Sequence, residues 1–429
     1  MRIALLTQHF APHFEGGTEF VARAQARALA DRGHRVEVLS GTDHPHQGVD
    51  VLREEVDGLP VAFLPRRPDE AYDLELARDR LLGLLERELA GVDLVHLHHW
   101  TTLPGRTVSH LRRTLGVPVV VSLHDLFVTC PRFFRVPVAP VEHCPEGPGS
   151  FEACAACCSP DAPGLPLAEL EAGLARRQER FDEELAAASA LVFPSRSHLA
   201  SVSRFARVPA ERVEVVHHGL CARLDPPGTE HGPTALPFTA PPLRVLCLGH
   251  RSEVKGVRDL VRAVRGLEGV ELLFLGREVE PGFDAALQRE AGGGKLTFGG
   301  GYAVESLAQR VAELGGAHLA AFPSRVAESY GLVLDEAHAL GLPVWVSDRG
   351  APKERVGEAG KVLPAEDSEA WRKAFSSILA QPDTLESARR AVSDASRTAD
   401  HAARDLEEIY RRLLGGSPPT ASPSSGDSR

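Results

Sequence analysis

The apolar positions of this chain follow two rhythms in turn. Residues 3–6, 36–39, 94–97 and 117–123 are short, mostly apolar runs, as expected of strands buried on both faces. Between them lie stretches with helical spacing: 18–32, which stops at Gly33, then 71–89, and a long charged one at 165–188. A strand at 191–194, a helix at 197–205 and a strand at 213–217 close this half. Residues 225–242 are rich in Pro, Gly and Thr, the composition of a linker. The alternation then restarts. Strands are expected at 243–248, 271–275, 296–298, 319–322 and 344–347, and helices at 257–267, 282–291, 304–314 and 331–340. Residues 371–380 and 383–414 also read as helical, and 417–429 as a low-complexity, disordered tail.

Strands alternating with helices imply a parallel sheet covered on both faces. The fold class is therefore α/β, with two doubly wound, Rossmann-like units. The expected division is 1–228, with a Cys-rich insertion at 130–160, then a linker at 229–242, a second unit at 243–414 and a tail at 415–429. Two such units place a ligand cleft between them, facing the carboxyl ends of the strands.

Composition narrows the partners. The chain has 429 residues, enough for two or three domains, and a net charge of −11. The acidic balance and lack of a long basic block argue against nucleic acid, although local Arg patches leave room for peripheral membrane contact. No apolar run approaches the roughly 18 residues of a membrane span. The start, M-R-I-A-L-L-T, lacks the long apolar region and cleavage site of a signal peptide. A cytoplasmic location is expected. Basic residues are almost all Arg, so Lys255 stands out as one of five lysines.

The most informative chemistry runs from Phe322 to Pro343, F-P-S-R-V-A-E-S-Y-G-L-V-L-D-E-A-H-A-L-G-L-P. It follows an apolar strand and holds Glu328 and Glu336 on either side of Gly331. Backbone N–H groups at a helix start suit phosphate, and carboxylates accept from sugar hydroxyls. Three further pieces follow strands. Gly16-Gly17 precedes a helix and lets a ligand approach the backbone; it is not a dinucleotide fingerprint, so no nicotinamide cofactor is indicated. G-H-R-S-E-V-K-G, residues 249–256, offers Arg251 and Lys255 to a diphosphate. His124-Asp125 ends the strand V-P-V-V-V-S-L, where His124 would donate to a hydroxyl and Asp125 would orient the ring or bind acceptor. His96, His98 and His99 end another strand and suit acceptor-pocket or structural roles. Each piece also has a bland reading, as a turn, a solvated cation or a core histidine.

In combined order and spacing, these pieces resemble the retaining nucleotide-sugar glycosyltransferases of the family-4 group, which have two Rossmann-like domains in the GT-B architecture. Glu328 and Glu336 match that family's E-x7-E pattern, and residues 337–344 its A-x-A-x-G-x-P-V. Gly16-Gly17, Lys255-Gly256 and His124-Asp125 match its other motifs, so the resemblance covers about residues 1–410. It implies that Glu328 faces the transferred sugar and Glu336 the ribose. Amides around Tyr330, Gly331 and Leu332 would meet the diphosphate with Lys255 and an Arg, taken as Arg251. His124 would contact the sugar and Gly17 the phosphates or acceptor, with Asp125 and His98 on the acceptor side. No cofactor is required for catalysis. The implied reaction moves a sugar from a nucleotide sugar to a glycan, a lipid-linked sugar or a small molecule. Alternatives are a nucleotide-sugar epimerase on the same architecture and a non-catalytic, metal-stapled binding protein. The chain departs from the family at His250, which precedes Arg251, at His218-Gly219, and at Asp335, a charge where the pattern is apolar.

Five of the seven cysteines fall in the insertion: Cys130, Cys144, Cys154, Cys157 and Cys158. Cys154-x-x-Cys157 has a metal-knuckle spacing, with Cys130 and Cys144 completing four ligands and His143 as a spare. A structural zinc ion is expected in a reducing compartment, with an iron–sulfur cluster or a loop of free thiols as the alternatives. Cys221 and Cys247 read as buried thiols.

Overall fold

The computed structural model describes residues 1–415 apart from 15, 43–50, 66–75, 77, 138–143, 227–231 and 393–396. The first unit is an eight-stranded sheet of order β3-β4-β2-β1-β5-β6-β7-β8. Its strands are β1 (Arg2–Thr7), β2 (Arg35–Ser40), β3 (Leu52–Val56), β4 (Leu59–Phe63), β5 (Leu94–Leu97), β6 (Val119–Ser122), β7 (Ala190–Phe193) and β8 (Val213–Val215). All pairings are parallel except the hairpin of β3 and β4. The helices are α1 (Gly17–Asp31), α2 (Leu82–Glu88), α3 (Thr107–Thr114), α4 (Phe151–Cys158), α5 (Leu167–Ala187) and α6 (Arg196–Ser203).

Alternate residues of each strand feed opposite cores, as the pleat requires. Ala4, Leu6, Val95 and Val121 bury against Leu85, Leu111 and Phe181. Ile3, Leu5, Leu94 and Val120 bury against α1.

The second unit is a six-stranded, all-parallel sheet of order β11-β10-β9-β12-β13-β14. Its strands are β9 (Leu243–Leu248), β10 (Val270–Leu275), β11 (Lys295–Phe298), β12 (Leu319–Phe322), β13 (Val344–Ser347) and β14 (Gly360–Leu363). The remaining helices are α7 (Val257–Val264), α8 (Phe283–Glu290), α9 (Leu307–Glu313), α10 (Leu332–Ala339), α11 (Gly350–Arg355), α12 (Ser368–Ala380), α13 (Asp383–Arg390) and α14 (Ala399–Leu413). Phe238, in the expected linker, is buried in the core of this unit.

Several details differ from expectation. The stretch at 71–89 lies partly outside the described residues, and the described helix α2 begins only at Leu82. The hairpin β3–β4, helices α3 and α11, and strand β14 were not expected. Residues 383–414 form two helices, and the second belongs elsewhere than expected. Ala402, Ala403, Leu406, Ile409 and Tyr410 of α14 pack in the first unit's core with α1. Arg32 fixes the contact, donating to Glu407 at 2.9 and 2.7 Å. Helical periodicity shows that a face is buried, not which sheet buries it. The assignment of 243–414 to the second unit is corrected at α14. The chain therefore crosses between units twice, with Leu220 and Thr398 bridged at the crossing. The tail from 416 onward lies outside the described residues. Among the described residues no helix is long and apolar enough to cross a membrane.

Candidate active site

The sequence motifs converge because each follows the carboxyl end of a parallel strand. After β9, a tight turn carries Lys255 and Gly256. Gly256 has φ +67°, and a Cβ there would lie 2.0 Å from the Pro323 carbonyl oxygen, so only glycine lets this turn press on the loop after β12. That approach brings Lys255 Nζ to 2.6 Å from Glu328 Oε1, which also accepts from Ser324 Oγ at 2.9 Å. Gly331 then supplies a positive φ, +79°, as the N-cap of α10. Glu336, one turn into α10, is 7% exposed and accepts from the Tyr302 hydroxyl at 2.6 Å. Burial pushes Glu336 up to about 7; the Tyr302 hydrogen bond opposes this and the Asp335 charge adds to it.

Arg251 does not reach this group. It is 3% exposed, and its fork grips Asp284 at 2.5 and 2.7 Å and the Gly276 carbonyl at 2.8 Å. The cation expected beside a diphosphate is thus engaged inside the second unit, while His250, next to it, is exposed.

On the first unit the polar groups are histidines. His98 Nδ1 lies 3.0 Å from His124 Nε2, so one ring donates to the other. The His124 ring stacks on His98 and on His218, each with centroids 5.2 Å apart. His96 bonds the Tyr410 hydroxyl at 2.6 Å and Ser122 Oγ at 2.8 Å, tying α14 to β5 and β6. Asp125 accepts from the Phe127 N–H at 2.8 Å and stands 3.3 Å from His99 Nε2, so it orients its surroundings. Burial holds these rings neutral: it lowers His96 to about 3 and His198 to about 4, and His98, His124 and His218 well below their usual value.

The two sides touch. The Tyr330 ring packs on His218 with centroids 4.7 Å apart, and its hydroxyl accepts from the Gly219 N–H at 2.8 Å. Ser195 Oγ donates to the Ser329 carbonyl at 2.8 Å. Glu354 of α11 accepts from the Arg196 and Ser197 N–H groups at 3.1 and 2.7 Å, at the start of α6. A Cβ at Gly17 would meet Leu332 at 3.9 Å, so the Gly-Gly turn and the start of α10 face each other closely. Of the expected residues, Lys255 and Glu328 pair directly, Tyr330, Gly331 and Leu332 lead into α10, which carries Glu336, and His98, His124 and Asp125 stand together on the first unit. Sequence reasoning missed Tyr302, Ser324, Arg355 and the part played by His218. The unusual charge at Asp335 was the one signal that pointed toward Arg355.

Cys130, Cys144, Cys154, Cys157 and Cys158 line one cavity with Arg135 and Arg177. Cys130 Sγ accepts from the Arg132 N–H at 3.4 Å. Among the described residues, however, no three His, Cys, Asp or Glu groups stand where they could hold a metal. The four expected ligands share a cavity wall without assembling a centre; His143 lies outside the described residues. Cys247 is buried as expected and Cys221 is half-buried.

Two largely parallel sheets facing each other from their strand ends define a class of protein, the GT-B glycosyltransferase fold. Sucrose-phosphate synthase from Thermosynechococcus elongatus superposes with a TM-score of 0.67 at 22% identity, covering 97% of this chain and 99% of that one. HepE of Anabaena in complex with UDP superposes with a TM-score of 0.59 at 17% identity, covering 96% and 100%. The sequence models of Glycosyltransferase Family 4 and Glycosyl transferases group 1 match residues 15–222 and 242–381, so the first unit is a Glycosyltransferase Family 4 domain and the second a Glycosyl transferases group 1 domain. Among curated relatives, D-inositol 3-phosphate glycosyltransferase of Segniliparus rotundus is 26% identical over 97% of this chain and 90% of its own length. The enzyme of that name from Mycolicibacterium smegmatis is 27% identical, over 96% and 91%.

Proposed function

We propose that this glycosyltransferase moves a sugar, with retention of anomeric configuration, from a nucleoside-diphosphate sugar to a hydroxyl of a glycan, a lipid-linked sugar or a small molecule. The observation that carries the reading is the Lys255–Glu328 pair at 2.6 Å at one end of the turn, with buried Glu336 at the other. Glu328 accepts from hydroxyls of the sugar. Glu336 takes those of the ribose. Lys255 and the N–H groups at the start of α10 stabilise the negative charge that develops on the leaving diphosphate. Arg251 is left out of this set because Asp284 already holds it.

His124, neutral and with Nε2 engaged by His98, presents Nδ1 to the sugar. His98 and Asp125 act on the acceptor side by orienting His124 and His99. Gly17 gives the ligand access beside Leu332. The acceptor hydroxyl attacks the anomeric carbon from the leaving-group side. A new carbon–oxygen bond forms, the bond to the diphosphate breaks with its electrons, and the hydroxyl proton passes to the departing phosphate oxygen. No enzymic nucleophile is needed.

The names of the curated relatives make an inositol phosphate the first acceptor to try, and the UDP-bound neighbour makes UDP-sugars the first donors. The test is a melting-temperature screen of UDP-, GDP- and ADP-sugars, since a bound ligand stabilises by mass action. The donor that stabilises is then incubated with acceptors, and the anomeric configuration of the product is read by NMR. An inverted product, or an epimerised sugar formed without acceptor, sinks the proposal, as does the absence of any stabilising nucleotide sugar.

A further inference from the structure

Arg355, at the end of α11, grips the turn before α10 from behind. Its Nη1 donates to the Tyr330 carbonyl at 2.8 Å and to the Gly331 carbonyl at 3.1 Å. Its Nη2 donates to Asp335 Oδ1 at 2.6 Å, and its guanidinium lies 3.5 Å over the Tyr330 ring. Both charged side chains are buried, 8% and 9% exposed. Burying an ion pair is costly unless its geometry is well satisfied.

The two carbonyls that Arg355 holds are not arbitrary. The peptide group that carries the Tyr330 carbonyl carries the Gly331 N–H, and the one that carries the Gly331 carbonyl carries the Leu332 N–H. In a trans peptide the two groups point in opposite directions. Pinning both carbonyls toward α11 therefore turns both N–H groups away from it, toward the side proposed for the diphosphate. The Gly331 carbonyl also accepts from the Leu334 N–H at 3.0 Å, as the cap of α10. Arg355 adds a second hold there and a side-chain hold on the Tyr330 carbonyl, in a turn whose glycine sits at φ +79°. Asp335, the charge that departs from the family pattern, has its counterpart here, because it holds the guanidinium in place.

We propose that Arg355, oriented by Asp335, is a positioning residue that aims the Gly331 and Leu332 N–H groups at the donor diphosphate. This rests on the functional reading above, which puts the diphosphate at that turn. The same Tyr330 that Arg355 covers bonds Gly219 of the first unit, so the aim of the turn is also fixed relative to the acceptor side.

The experiment compares binding of a nucleoside diphosphate with binding of the matching nucleoside, by calorimetry, in wild type, Asp335→Asn and Arg355→Lys. Arg355→Lys keeps the charge and loses the fork; Asp335→Asn is nearly isosteric. The probes are UDP with uridine, GDP with guanosine, and ADP with adenosine. Both variants are expected to weaken the diphosphate roughly tenfold while leaving the nucleoside within about twofold, since Glu336 still holds the ribose. Donor KM should rise in parallel. A melting temperature taken alongside separates this from loss of fold, which would move both ligands together and overturn the proposal. An unchanged diphosphate-to-nucleoside ratio also overturns it. If the wild-type protein binds none of the three diphosphates, the donor-site reading fails as well, and that result is distinct from binding that the variants leave unaltered.

Discussion

The buried histidines of the first unit and the ion pairs on the loops and helices that follow β9, β12 and β13 of the second differ in their electrostatics. On the first unit, His96, His98, His124, His198 and His218 are buried without charge. On the second, Lys255 meets Glu328 and Arg355 meets Asp335, with fixed charges at 2.6 Å in both pairs. Charge belongs where charge develops, and in glycosyl transfer that is the leaving diphosphate. An acceptor hydroxyl is neutral, and a neutral ring can either donate to it or accept from it. On the proposed reading, the charged pairs fall on the donor side and the neutral rings on the acceptor side.

The comparison breaks first at the charged side. Glu328→Ala should lower kcat/KM for transfer by roughly 10²–10³-fold, because it strips Lys255 of its partner and the sugar of its acceptor. Steady-state kinetics showing wild-type rates would remove Glu328 from the chemistry. On the neutral side, His124→Phe keeps a ring but loses its polar atoms. Transfer should fall about tenfold to a hundredfold while nucleoside diphosphate affinity stays within about twofold. Equal loss of nucleotide binding would mean that the two sides are not divided as described.

The two sides should also respond to pH with opposite sign. An unfolded chain takes up protons on its histidines as pH falls through the ordinary value of 6.5, whereas the buried rings refuse them. Stability should therefore drop as pH falls below 6.5, and calorimetric melting temperatures should show the decline; a flat profile down to about pH 4 would contradict the neutral assignment. Glu336 works the other way, and its effect is the smallest. Between its ordinary value of 4.5 and about 7, the unfolded chain ionises this carboxyl while the folded one keeps the proton. Its contribution thus weakens as pH rises through that window and is constant above it. The melting-temperature difference between Glu336→Gln and wild type should shift in the variant's favour from pH 4.5 to 7 and then level off.

Much of this was readable in the chain. The runs at 243–248, 319–322 and 344–347 coincide with β9, β12 and β13, because strands buried on both faces leave unbroken apolar signatures. The placing of Lys255 and Glu328 at one site was implied by the family resemblance, which rests on the order of motifs at strand ends. What escaped were relations between distant segments. Arg251 looked available because Asp284, 33 residues away, leaves no local trace. The hairpin β3–β4 mixes charged residues on an edge strand, R-E-E, with a Pro in its partner, and so hides its pattern. The cysteine spacing suggested a centre, yet spacing along a chain says little about where sulfurs point.

The return of α14 to the first unit bears on how the cleft opens. Leu220 donates its N–H to the Arg397 carbonyl at 2.8 Å and accepts from the Ala399 N–H at 3.1 Å, so outward and homeward passages of the chain run side by side. Two bodies joined by a single thread can swivel in any direction. Joined by a short double ribbon, they are restricted to swinging across it, as a door swings on its pins. Any closure would then bring the same faces back into register, and a cut in the 225–242 linker would leave the halves still tied by the second passage.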